Sequence, residues 1–359
     1  MALAFGSTIG ILGGGQLARM LAMAAAKLGY QTIIFDPDKN APAAQVCNDH
    51  VIANYTDESS LAAFAKQCDV VTYEFENVPV AAAKFINALT PVRPGPQALE
   101  AAQDRLVEKN FLNEAGIETA AFLPVSSIDD LKGALEIFGG NGVLKTRRMG
   151  YDGKGQQVFK NADPAKTNDI YAQFNAVPMI LEGFVPFERE ISVIAARGLD
   201  GAVAVFEPAE NVHREGILYT STVPAKASGE TLAQAHKAAK AILDALEYVG
   251  VIGVEFFVMA NGGLIANEIA PRVHNSGHWT EAACAISQFE QHIRAVAGLP
   301  LGDPARHSDC LMENLIGDEI GRMVELCAES QVVVHHYGKT EVRPGRKMGH
   351  FTRLTKLSS

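Results

Sequence analysis

The sequence predicts a mixed fold, α/β at its start and α+β beyond. A parallel sheet covered on both faces comes first, and β-rich lobes follow. Three observations carry this. Short apolar runs alternate with helix-spaced segments over roughly the first hundred residues. From residue 179 strand-type runs dominate. Asn261-Gly262 joins two apolar runs, the signature of a tight hairpin.

The elements follow in order. Residues 8–12 are an apolar run broken by Gly13-Gly-Gly15. Leu17, Met20, Leu21, Ala24 and Leu28 recur at helical spacing, and Gly29 ends that helix. Residues 31–35 are the next strand, stopped at Asp36-Pro37, and residues 70–73 another. One helix is expected from about residue 104, then a small lobe with strands at 121–125 and 142–145 around a helix at 128–138. Strands are expected at 157–159, 179–182, 187–196, 202–206, 216–223, 250–259 and 263–268, with a helix at 231–246. The tail is read as short strands and one helix ending in a basic loop.

Hydrophobic residues make up 48% of the 359 and charged residues 20%, which fits a well-cored protein of two or three domains. A net charge of −10 argues against general nucleic-acid binding. The five scattered cysteines form no Cys-x-x-Cys pair, so reduced thiols and a cytoplasmic location are expected. No leader is expected, and no run is long and charge-free enough to suggest a membrane span.

Five constellations could carry chemistry. The stretch from Lys145 to Gln156 places Lys145, Arg147, Arg148 and Lys154 around glycines 150, 153 and 155. That suits a flap closing over phosphates, or a solvated hairpin tip. Gly13-x-Gly15-x-x-Ala18 with Asp36 suggests a dinucleotide turn, another phosphate site at a helix start, or a structural turn. Counting back from Asn261-Gly262 sets Glu255 roughly opposite Glu268. Two carboxylates about 4 Å apart repel by roughly 4 kcal/mol at an effective dielectric of about 20, so a proton, an arginine or a metal should relieve them. Mg²⁺ fits all-oxygen ligands, with Asn267 adding another; ion pairs to Arg272 and Lys145 are the alternative. Arg272, His274, Asn275 and His278 then crowd one loop. Lastly, Lys339, Arg343, Arg346 and Lys347 form a basic island, a phosphomonoester pocket or a solvated loop.

Five segments together resemble the ATP-grasp superfamily and, within it, the N5-carboxyaminoimidazole ribonucleotide synthetase family. They are Gly15-Gln-Leu-Ala-Arg-Met20, Tyr73-Glu-Phe-Glu-Asn-Val-Pro79, Tyr151-Asp-Gly-Lys-Gly-Gln156, the run from Asn267 to Thr280, and Arg343-Pro-Gly-Arg-Lys-Met-Gly-His350. One departure is Met149, where many members have glycine.

The resemblance implies an ATP-grasp fold behind an N-terminal, Rossmann-like domain. Residues 1–98 would bind ribonucleotide, 99–180 and 181–302 would form the two lobes, and 303–359 a small β-rich domain. The reaction it implies uses ATP, bicarbonate and 5-aminoimidazole ribonucleotide, with Mg²⁺, through carboxyphosphate. Arg105 and Lys145 would hold ATP phosphates under Gly150, Tyr151, Asp152, Gly153, Lys154, Gly155 and Gln156. Glu182, Gly183, Phe184 and Val185 would border adenine, Glu190 the ribose, and His213, Asn267 and Glu268 complete that site. Glu255 and Glu268 would bind the metal. Lys145, Tyr151, Asp152, Arg272, His274 and Asn275 would act on bicarbonate and imidazole. Gly15, Gln16, Leu17, Glu76, Lys339 and Arg346 would bind the ribonucleotide. A homodimer and handover to a downstream carboxyaminoimidazole ribonucleotide mutase are implied by the family alone. The competing readings are a nicotinamide-dependent dehydrogenase, a formate-using sister ligase and a non-catalytic nucleotide-binding regulator.

Overall fold

The computed structural model describes residues 2–150, 155–174 and 177–358, which form three sheets. The first contains β1 (Thr8–Leu12), β2 (Gln31–Phe35), β3 (Asp49–Val51) and β4 (Val70–Tyr73) in the order β3-β2-β1-β4. All its pairings are parallel. On one face Ile9 and Ile11 pack with Leu17, Met20 and Leu21 of the helix Gln16–Lys27. On the other, Leu12 and Phe35 pack with Phe64 and Val71. Burial on both faces is why these strands read as unbroken apolar runs. Gly29, at φ +79°, takes the left-handed position that stops the helix.

The second sheet contains β5 (Phe122–Val125), β6 (Gly142–Thr146), β7 (Gln156–Phe159) and β8 (Met179–Glu182), ordered β5-β8-β6-β7 and antiparallel. The helix Ile128–Ile137 lays Leu131, Ala134 and Leu135 onto Val125, Leu144 and Leu181. The glycine-rich segment joins β6 to β7.

The third sheet has nine strands. They are β9 (Arg189–Arg197), β10 (Val203–Val205), β11 (Ala209–Arg214), β12 (Ile217–Val223), β13 (Gly250–Val258), β14 (Leu264–Ala270), β15 (Asp309–Ile316), β16 (Val332–His336) and β17 (Lys347–Thr355). The order is β14-β13-β9-β11-β12-β15-β17-β16, with β10 on β9. Pairing of β12 with β15 makes the tail strands an extension of this sheet. The helix Gly229–Ala245 seals it, burying Ile242 and Leu243 against Val193, Ile252 and Val254.

Two expectations are corrected. β11 was not expected, because Ala-Glu-Asn-Val-His-Arg has no apolar alternation; β9 and β12 on its two sides hold it in the sheet. The tail does not end in the basic loop. That loop lies between β16 and β17, and β17 closes the chain against β15.

Gly10 on β1 has no room for a side chain: a Cβ there would lie 2.6 Å from Phe64 Cζ and 2.7 Å from Cys68 Sγ. Gly10→Ala is expected to destabilise the N-terminal domain by about 1–3 kcal/mol through overpacking. Urea melts of the two proteins measure this, and coincident midpoints would contradict the packing described.

Candidate active site

The glycine turn after β1 serves an internal carboxylate. Gly15 N–H donates to Glu74 Oε1 at 2.9 Å and Ala18 N–H to Oε2 at 3.3 Å. Gly14 N–H donates to Asp36 Oδ2 at 2.8 Å. A Cβ on Gly13 or Gly15 would meet Glu74 at 2.5 or 2.6 Å. Glu74 thus fills the anion position at this helix start, which a dinucleotide's pyrophosphate would need. This counts against the dehydrogenase reading.

Glu74 sits at one end of a cleft of about 700 Å³ where the N-terminal domain meets the second and third sheets. Across it, β13 and β14 pair with Glu255 directly opposite Glu268. A bulge between Glu255 and Phe256 makes Asn267 the extra residue, and the Asn267 side-chain amide donates to Glu255 Oε2 at 3.3 Å. Burial and the neighbouring Glu268 push the Glu255 carboxyl up to about 7. Glu268 pairs with Arg105 at 3.2 Å, and His274 Nε2 lies 3.7 Å from Glu255. Lys145 and Arg272, the cations first considered as partners for these glutamates, are engaged elsewhere.

Lys145 Nζ donates to Glu182 Oε2 at 2.9 Å, with buried Lys109 3.3 Å from the same oxygen. Arg272 pairs with Glu76, tying the third sheet to the N-terminal domain. Despite burial, Arg272 holds the Glu76 carboxyl down at about 2. Arg147 grips Asp104 with two hydrogen bonds, at 2.9 and 2.8 Å, and Arg148 adds a third at 3.3 Å. These arginines anchor the base of the glycine-rich hairpin to the helix Arg105–Glu114, whose N-cap is Asp104. Met149 stands at φ +62°, a conformation glycine enters freely and other residues adopt at about 1–2 kcal/mol.

The expected residues divide as follows. Gln16, Leu17, Glu76, Arg105, Lys145, Gly150 and Gln156 line the cleft, as do Glu190, His213, Glu255, Asn267, Glu268, Arg272, His274 and Asn275. Glu190 lies 3.2 Å from His213, close to Glu255. Glu182 is buried beneath the cleft as the acceptor for Lys145, while Gly183, Phe184 and Val185 border a separate pocket of about 310 Å³. Gly155 accepts from Thr146 N–H at the root of the hairpin. Gly15, Lys339 and Arg346 are not on the cleft wall. Lys339 Nζ donates to the Lys347 carbonyl at 2.7 Å and Arg346 to the Glu341 carbonyl at 2.7 Å. Tyr151, Asp152, Gly153 and Lys154 lie outside the described residues.

Sequence reasoning missed Glu108, Phe187 and Phe257, and named Lys347 only as part of the basic island. Glu108 lies one helical turn after Arg105, a spacing that could have flagged it, and it accepts from Ile269 N–H at 2.7 Å. Lys347 reaches the cleft from the basic island. Phe187 and Phe257, stacked with ring centroids 4.4 Å apart, form an apolar wall. His278 and Trp279, though in the polar loop, are fully buried.

Comparison with known proteins matches this architecture in tandem. The ribonucleotide synthetase preATP-grasp domain matches residues 6–103, the ATP-grasp domain 110–289, and the phosphoribosylaminoimidazole carboxylase C-terminal domain 310–358. The N5-carboxyaminoimidazole ribonucleotide synthase of Brucella melitensis is 60% identical over 349 residues, covering 97% of this chain and 96% of that protein. The Pseudomonas aeruginosa enzyme of the same name is 45% identical over 345 residues, covering 96% and 93%. The Staphylococcus aureus N5-carboxyaminoimidazole synthetase complexed with ADP superposes with a TM-score of 0.93 at 37% identity, covering 99% of this chain and 94% of that one. An Aspergillus clavatus enzyme in complex with ADP and 5-aminoimidazole ribonucleotide gives 0.89 at 29% identity, covering 98% and 94%. Matched along nearly its whole length, the chain belongs to the N5-carboxyaminoimidazole ribonucleotide synthetase family of ATP-grasp ligases.

Proposed function

We propose that the chain carboxylates 5-aminoimidazole ribonucleotide with bicarbonate at the expense of ATP. The products are N5-carboxyaminoimidazole ribonucleotide, ADP and phosphate, in de novo purine biosynthesis. The observation that carries this reading is the Glu255–Glu268 pair, in register on the wall of a cleft shared by all three sheets.

The oxygen donors of Glu255 and Glu268, with Asn267, fit Mg²⁺, and a divalent charge offsets the burial and the Glu268 charge that raise Glu255. When bound, that ion neutralises phosphate charge and steadies its geometry. Lys145 and Arg105 take the phosphates from the other side, under residues 150–156. Adenine lies by Glu182, Gly183, Phe184 and Val185, and its ribose by Glu190 and His213. Gln16, Leu17 and Glu76 take the ribonucleotide, with Gly15 shaping the turn beneath it and Lys339 and Arg346 on its phosphate.

A bicarbonate oxygen attacks the γ-phosphorus, the bond to the β-phosphate oxygen breaks, and ADP leaves. The exocyclic amine then attacks the carboxyl carbon, in carboxyphosphate itself or in CO₂ released from it. Phosphate departs and the amine loses a proton. Arg272 and Asn275 act on the carboxyl group together with Tyr151 and Asp152. Burial and the Arg272 charge push His274 down to about 3, so it works as a neutral hydrogen-bonding group and not as a base. The domain division at 1–98, 99–180, 181–302 and 303–359 belongs to the same reading, as do a cytoplasmic homodimer and transfer of product to the mutase.

An ADP-release assay with ribonucleotide and bicarbonate tests the reaction. Turnover dependent on both is expected, and Glu268→Gln should lower it by roughly 10²–10³-fold with the fold intact. Turnover with formate in place of bicarbonate would instead assign a formate-using ligase.

Glu108 gives a second test. Burial and the Glu268 charge raise its carboxyl from the ordinary 4.5 to about 8. The folded state therefore binds this proton more tightly than the unfolded chain. The stability it contributes is fully present below pH 4.5 and is lost as pH rises to about 8. Glu108→Gln stays uncharged and keeps an acceptor for Ile269 N–H. Between about pH 5 and 8 the wild type should lose on the order of 3 kcal/mol relative to the variant in urea melts. Parallel stability profiles would refute the assigned protonation.

A further inference from the structure

Away from the cleft, the tail strands and the helix Thr280–Ala283 bring together three other side chains. His335 on β16 and His350 on β17 are register partners, so their rings project to one face of the sheet. The rings stack with centroids 5.3 Å apart and planes 12° apart. Glu281 reaches over both, its Oε2 3.2 Å from His335 Nδ1 and 4.0 Å from His350 Nε2. The three atoms lie within 4.8 Å of one another.

We propose that Glu281, His335 and His350 form a binding site for one divalent transition-metal ion of the zinc class, separate from the nucleotide cleft. Two imidazole nitrogens and one carboxylate oxygen suit Zn²⁺, whereas Mg²⁺ favours oxygen donors. Tetrahedral Zn²⁺ sets its ligand atoms about 3.4 Å apart. The Glu281–His335 pair already meets that spacing, and rotation of the Glu281 and His335 side chains, 27% and 14% exposed, brings both toward His350 Nε2. The open side admits a water as fourth ligand. The surroundings support ligation. The second ring nitrogen of His350 lies 2.9 Å from the hydroxyl of fully buried Tyr337, a contact that fixes ring orientation and tautomer as metal-ligating imidazoles require. His278 stacks on His350 at 4.7 Å, and its Nε2 has no hydrogen-bond partner among the described residues. An ion here would clamp the loop that begins at Arg272 to the strands flanking the basic island.

Equilibrium dialysis of the full chain against Zn²⁺, with Mg²⁺ and ADP in excess to fill the cleft, counts the bound ions. The wild type is expected to retain one equivalent more than Glu281→Gln or His335→Ala, two substitutions at partly exposed positions. Tyr337→Phe should weaken that equivalent by roughly 10–100-fold. Co²⁺ should give the visible bands of a four-coordinate site in the wild type and not in Glu281→Gln. Equal stoichiometry in the wild type and both variants would overturn the proposal. So would failure of the wild type to retain Zn²⁺, which would leave Glu281 as an ion-pair partner of His335.

Discussion

Two glutamates fixed side by side on adjacent strands govern the polar interior of this protein. The β13–β14 register sets Glu255 opposite Glu268, and apolar packing behind those strands keeps them there. The Glu255 side chain is 14% exposed and that of Glu268 38%, and the strand register holds the two side by side. Like charges so close must be offset, and each neighbouring element contributes. Arg105 comes from the start of its helix, Asn267 from the bulge, and His213 from β11. Even so, burial and the Glu268 charge leave Glu255 prone to protonation.

The same accounting explains how the sheets are held around the cleft. Arg272 with Glu76 links the third sheet to the N-terminal domain, and Arg147 with Asp104 ties the glycine-rich hairpin to the Arg105 helix. Lys145 and Lys109 share Glu182 beneath them. Broken by removal of one member, such buried pairs leave an uncompensated charge costing about 3–5 kcal/mol. They act as positioning devices, setting cationic groups along the cleft at fixed distances. A polyanion entering it offers Lys145 a competing partner to Glu182.

Much of this was legible in the sequence, for local physical reasons. The first strands showed as apolar runs because both faces are buried, and Asn261-Gly262 limited the register to within one residue. The bulge at Asn267 then decided it, bringing the glutamates into direct opposition; no composition rule signals that extra residue. Glu74 and Glu76 stand two apart in one motif, yet only the folded chain sends one to the Gly15 amide and the other to Arg272. Glu108 and Lys109 read as ordinary polar helix positions, and both are buried because their partners arrive from β8 and β14. β11 escaped notice because its neighbours, not its own residues, make it a strand.

The central claim is that Glu255 and Glu268 together hold a divalent cation facing the nucleotide phosphates. Anomalous diffraction from crystals grown with Mn²⁺ and ADP tests it most directly. The account predicts a peak about 2.1 Å from a carboxylate oxygen of each glutamate, with Glu268 drawn from Arg105 toward the ion. A peak bound only by phosphate and water, with Glu268 still paired to Arg105, would contradict it.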